Sequence, residues 1–97
     1  MYKLNLGCSE RKIHGFINID SREEVNPDVV GDVTDLDSID IKNSSVDLIY
    51  ASHVLEYFDI NEVKQLLQEW QRVLKPEGIL RIAVPDFATI ANLYLLT

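Results

Sequence analysis

The stretch VDLIYASHVLEYFDINEVKQLLQEWQRVLKPEGILRIAV, residues 46–84, decides the fold. It opens with VDLIYA, residues 46–51, and closes with ILRIAV, residues 79–84. Both runs are mostly apolar rather than alternating, the pattern of strands covered on both faces. Between them Val63, Leu66, Leu67, Trp70, Val73 and Leu74 recur at spacings of three and four, which gathers them on one stripe of a helix. Asp59 is placed to cap that helix, Glu62 completes a capping box, and Phe58 with Val63 suits a hydrophobic staple. Lys75-Pro76-Glu77-Gly78 reads as the stop, a turn with Pro at its second position.

Working outward, Tyr2 to Leu6 reads as a strand closed by Gly7, and Phe16 to Ile19 as a second strand closed by Asp20. Val29 and Val30 start a third, which passes Gly31 and continues to Val33. The polar stretch from Ser21 to Pro27 is loop, and Asp35 to Ser45 is a loop with room for one helical turn. After Asp86, Phe87, Ile90, Ala91 and Tyr94 fall on one face of a second predicted helix. Strands alternating with helices predict an α/β fold with a mostly parallel sheet.

The 97 residues allow a single domain, 1–97. A net charge of −7 without a basic run argues against nucleic acid or an anionic membrane as the main partner. The single cysteine, Cys8, excludes an intrachain disulfide and fits a reducing compartment. His14 and His53 have no CxxC companion, so no metal site is expected. The N-terminal MYKLNLGCSE carries no long apolar segment, so neither a signal peptide nor a membrane span is expected, and the location expected is cytoplasmic.

Three features carry chemistry. In LNLGCS, residues 4–9, a strand ends at Gly7, where a missing Cβ lets the backbone approach a ligand; a plain strand-end glycine is equally ordinary. Asp20 ends FINID, where a carboxylate can accept from both hydroxyls of a ribose, though an Asp there is commonly just solvated loop. Asp32 in VVGDV can accept from the exocyclic amine of adenine, with Val33 against the ring; its plain alternative is a turn residue before Thr34. Backbone access, a diol acceptor and a base-edge acceptor at one sheet edge are what a nucleoside needs. No lysine-bearing phosphate loop accompanies them.

The run LNLGCS, GFINID, GDVTDL, SSVDLIYASHVLEYF and LQEWQRVLKPEGILRIAVPD resembles a class I S-adenosylmethionine-dependent methyltransferase, of the bacterial branch with a short first helix. The resemblance implies a Rossmann-like three-layer sandwich with sheet order 3-2-1-4-5, lacking the family's last strands, and S-adenosylmethionine as cofactor. It places Gly7, Cys8 and Ser9 under the methionyl end, Asp20 on the ribose hydroxyls, and Asp32 with Val33 at the adenine. Ala51, Ser52 and His53 would line the cofactor from the fourth strand, with His53 the one candidate general base. Ser9 stands where the family usually has a second glycine, and Tyr57 where it often has His. The implied function is methyl transfer to an acceptor the sequence does not name. The alternative is a non-catalytic fragment or pseudoenzyme that keeps the nucleoside pocket. A nicotinamide dehydrogenase is disfavoured, because GxGxxG is missing and only 13 residues separate Gly7 from Asp20, where about 20 are usual. With the family's last strands missing, ILRIAV is expected at an open sheet edge, which predicts a homo-oligomer formed through that edge or through the C-terminal helix.

Overall fold

The computed structural model describes residues 1–84 and 89–94. Strands β1 (Lys3–Leu6), β2 (Ile17–Asp20), β3 (Val29–Val30) and β4 (Val46–Ser52) precede helix α1 (Ile60–Val73). Strands β5 (Leu74–Val84) and β6 (Thr89–Tyr94) follow it. They form one sheet in the order β3-β2-β1-β4-β5-β6. The first five are parallel, so the 3-2-1-4-5 order holds.

The register puts Leu4 beside Ile17 and Ile49, and Leu6 beside Ile19 and Ala51. Ile49 and Ala51 in turn stand beside Leu80 and Ile82. Because successive side chains alternate, these residues share one face. They close a single core with Leu66, Trp70 and Val73 of α1. The helix starts where the sequence says. Asp59 Oδ1 accepts from the Glu62 amide at 2.8 Å, and Glu62 Oε1 accepts from the Asp59 amide at 3.0 Å. Such a cap contributes about 1 kcal/mol.

The helix gives way directly to β5, and the predicted Lys75–Gly78 turn lies inside that strand as a bulge. Its pairing with β4 jumps from Val46↔Leu74 to Leu48↔Ile79, so Asp47 alone faces the four residues 75–78. Asp47 is held there by the Tyr2 amide at 2.8 Å and by Lys75 Nζ at 3.2 Å.

Two expectations are corrected at the far side of the sheet. Ile90, Ala91 and Tyr94 belong to a strand rather than a second helix; Phe87 lies outside the described residues. β6 runs antiparallel to β5 over Ile79↔Tyr94 to Val84↔Thr89. Its backbone thereby satisfies donors and acceptors that a helix would have left open on β5. The fifth strand is therefore not an edge, and association through an open β5 edge or a C-terminal helix loses its basis. Of the three expected layers, the described residues show the sheet and the α1 layer.

A polar clamp ties the 33–43 loop, with its short 3-10 turn Leu36–Ile39, to α1. Glu69 Oε2 accepts from the Leu36 amide at 2.7 Å, and Arg72 pairs with Glu69 at 2.8 Å while reaching Asn43 Oδ1 at 2.6 Å. The Arg72 hydrogen bonds, aided by the Leu36 amide, hold the Glu69 carboxyl below its ordinary range against the opposing effect of burial. In the acid window the unfolded chain then binds more protons than the folded one, so stability rises with pH there. We expect stability to be level above about pH 5 and to fall as pH drops through the ordinary carboxylate range near 4 and below. Urea midpoints across that range check this, and Glu69→Gln should make the fall shallower; an equal fall in that variant would remove Glu69 from the account.

Candidate functional site

The sheet order reverses between β1 and β4, and a crevice outside the carboxyl ends of parallel strands is the expected ligand position at such a point. A cleft of about 480 Å³ opens there. Gly7 follows β1, Asp20 ends β2, Gly31, Asp32 and Val33 follow β3, Ser52 ends β4 and His53 follows it. Seven predicted residues thus meet in one hollow: Gly7, Ser9, Asp20, Asp32, Val33, Ser52 and His53.

Two predicted residues stay outside it. Ala51 is 1% exposed and belongs to the core, because it shares the inward face with Ile49. Cys8 is also buried; it borders a second hollow with Asn5, Lys12 and Tyr50. Burial, with the Asp20 charge next, pushes the Cys8 thiol up, so it is no thiolate nucleophile. Arg11, Ser21, Arg22, Val54, Tyr57 and Phe58 line the cleft without having been predicted. Only Tyr57, already conspicuous as a departure from the family pattern, had a sequence signal.

The turn after β1 is held by backbone geometry. Gly7 has φ +63°, and a Cβ added there would come within 2.7 Å of Val54 Cγ2. Ser9 also sits in the left-handed region, at φ +50°, and His53 at φ +58°. His53 stays there because its amide donates to the Ala83 carbonyl at 2.9 Å. Its Nδ1 lies 3.5 Å from Arg11 Nη2, the outer limit of a hydrogen bond.

Asp20 is the best-organised acid in the cleft and is only 6% exposed. Its Oδ2 accepts from the Ser9 amide at 2.8 Å, and its Oδ1 accepts from the Arg22 amide at 2.9 Å and from Arg22 Nε at 3.4 Å. Burial pushes the carboxyl up, yet the bonds from Arg22 and Ser9 together leave it below its ordinary range. It is therefore an anion at neutral pH. Each carboxylate oxygen offers two acceptor sites. Oδ2 keeps one free, and the second site of Oδ1 is taken only by the long contact from the half-exposed Arg22 side chain. A vicinal diol can occupy both once that guanidinium turns aside toward Ser9 Oγ, which it already reaches at 2.9 Å.

Asp32 combines both of its readings. It lines the cleft, and its Oδ1 accepts from the Thr34 amide at 2.8 Å and the Thr34 hydroxyl at 2.6 Å, as a turn residue does. Its Oδ2 accepts none of the hydrogen bonds found among the described residues. Val33 is fixed from behind, because its carbonyl accepts from Trp70 Nε1 at 3.0 Å. No cluster of metal-ligating side chains occurs among the described residues, nor a helix long and apolar enough to cross a membrane.

Comparison with known proteins agrees with the fold. The family described as "Methyltransferase domain" matches residues 13–82. A search of curated proteins returned no match. Among solved structures, the PH0226 protein of Pyrococcus horikoshii superimposes with a TM-score of 0.74 at 22% identity, over 89% of this chain and 50% of that one. A SAM-dependent methyltransferase from Archaeoglobus fulgidus gives 0.68 at 20% identity, over 84% and 43%. An arsenic(III) S-adenosylmethionine methyltransferase from Chlamydomonas reinhardtii gives 0.60 at 18%, over 84% and 38%. The chain spans half or less of the length of these structures. With a shared fold and a family match over most of its length, the chain belongs to the methyltransferase-domain family.

Proposed function

We propose that the cleft binds S-adenosylmethionine and that the domain presents it for methyl transfer to an acceptor. One observation carries the reading. A glycine turn, an organised anionic acid and a second acid with an apolar neighbour arrive from three successive strands in one 480 Å³ hollow. That volume lies within the usual range for small-ligand sites. Asp20 takes the ribose diol, Asp32 and Val33 take the adenine, and the Gly7–Ser9 turn with Ser52 and His53 borders the donor end. Cys8 and Ala51, both buried, take no side-chain part in this reading. When bound, the cofactor supplies an activated methyl group on a sulfonium, so the protein's task is largely alignment. His53, at the end of β4, is the one side chain there suited to take a proton from a weakly acidic acceptor. We place the protein in a reducing, cytoplasmic compartment, a reading supported by its single cysteine.

The test is calorimetric titration with S-adenosylhomocysteine, S-adenosylmethionine and NAD. Binding of the first two and not of NAD supports the proposal; preference for NAD, or no binding, overturns it. The alternative, a fragment that binds without transferring, is supported by the half-length match, and a methyl-transfer assay against candidate acceptors separates the two.

Ser9 offers a finer test. Its φ of +50° costs a side chain about 1 kcal/mol that glycine does not pay. Ser9→Gly should therefore preserve or slightly tighten S-adenosylhomocysteine binding and raise the thermal midpoint. A clear loss of affinity would make the Ser9 hydroxyl a ligand group in its own right.

A further inference from the structure

Between Leu6 and Ile17 the chain forms no helix or strand, yet this segment carries Ser9 and Arg11 to the cleft wall. Its part-buried backbone groups find partners outside regular structure. Asn18 supplies three of these contacts, to the Ile13 amide and to the Ile13 and Phe16 carbonyls. It is 5% exposed and lies on β2, away from the cleft. Its Oδ1 accepts from the Ile13 amide at 2.8 Å and from Asn5 Nδ2 at 2.8 Å. Its Nδ2 donates to Asp28 Oδ2 at 2.8 Å and reaches the Ile13 and Phe16 carbonyls at 3.2 and 3.3 Å. Asn5 Nδ2 extends the network to the Arg11 carbonyl at 2.9 Å. The amide cannot flip, because the Ile13 amide requires an oxygen and the Asp28 carboxylate requires a donor. Asp28 Oδ2 also accepts from the Asn18 amide at 2.8 Å, so the exposed acid anchors the buried one-sided amide from the β3 side.

We propose that Asn18, braced by Asp28, is a positioning residue that sets the 8–16 segment and thereby the donor end of the cofactor cleft. It touches neither the cleft nor the second hollow; it acts through Asn5 and the backbone of Arg11, Ile13 and Phe16. The consequence is selective. The segment borders the amino-acid end of the ligand, whereas the nucleoside end is held by Asp20, Asp32 and Val33. The inference rests on the cofactor reading for its binding arm, and a ligand-free arm tests it separately.

The experiment compares wild type, Asn18→Ala, Asp28→Ala and Asp28→Asn by titration with S-adenosylhomocysteine and with adenosine. Asn18→Ala should weaken S-adenosylhomocysteine roughly tenfold or more, the equivalent of one or two lost hydrogen bonds, and leave adenosine within about twofold. Asp28→Ala should show the same selectivity with a smaller loss, and it stands in if Asn18→Ala does not fold. Asp28→Asn, which keeps an acceptor, should approach wild type. Equal losses for both ligands, or none, would overturn the proposal. In the ligand-free arm, Asn18→Ala should speed hydrogen exchange of the Ile13 amide at least about tenfold relative to that of Leu6 in β1; parallel acceleration, or none, overturns it too. A wild type that binds neither ligand overturns the cofactor reading, while the exchange arm still decides the role of Asn18.

Discussion

Asp20→Ala is expected to weaken S-adenosylhomocysteine binding roughly ten- to hundredfold, the loss of charge-assisted bonds worth about 1.5–3 kcal/mol. Two effects act together. The diol loses its acceptor, and the Ser9 and Arg22 amides, which now meet the carboxylate at 2.8 and 2.9 Å, lose theirs. The second effect reaches the turn itself, so a modest fall in stability should accompany the loss of affinity. Asp20→Asn separates them in part. It keeps the shape but points an NH2 group at one of the two amides, so affinity should fall nearly as far. Calorimetry with S-adenosylhomocysteine and with 2′,3′-dideoxyadenosine reads both effects. The diol-free ligand should be much less sensitive to the substitution. An unchanged affinity for S-adenosylhomocysteine in a folded Asp20→Ala protein would remove Asp20 from the ribose.

The largest effect on stability is expected at Trp70. Its side chain is 0% exposed and fills the space between α1 and the sheet, so truncation to alanine removes about 3–5 kcal/mol. Small domains hold only about 5–15 kcal/mol in total, so Trp70→Ala should lose a large share of its stability and unfold at a much lower urea concentration. Trp70→Phe should keep most of the packing and fold. It would still leave the Val33 carbonyl without the indole N–H that now reaches it at 3.0 Å. That costs about 1–3 kcal/mol and frees a residue of the cleft wall. Circular dichroism in urea is the suitable readout, since Trp70 is the one tryptophan and its fluorescence is lost with it. A Trp70→Phe protein as stable as wild type would show that the Val33 carbonyl readily finds another partner.

Local chemistry explains which parts of the fold could be read in advance. The capping box Asp59/Glu62 and the stripe through Leu66, Trp70 and Val73 are written within a few residues of one another, and α1 follows them. Strand ends at Gly7 and Asp20 are likewise local signals. β6 was not readable in this way. Ile90, Ala91 and Tyr94 fit a helical face, and a short apolar run does not choose between the two periods. What decides is the unpaired side of β5, a partner distant in the folding logic though near in sequence. The cleft divides along the same line. Asp20 ends β2 and Asp32 closely follows the adjacent β3, so strand order alone brings them together. Ala51 faces the core, as alternation with the core-facing Ile49 requires. Arg11 and Arg22 gave no pattern at all, because their places depend on how two irregular loops fold back over the strand ends.

The reversal of direction at the last strand has a practical meaning. β6 begins beside Val84, at the cleft end of the sheet, and finishes with Tyr94 opposite Ile79, at the other end. β1 also starts at that other end, with Lys3 opposite Leu48. Both outermost portions of the sheet's chain therefore face away from the ligand side. Anchoring the domain to a surface through either one should leave the hollow turned toward solution.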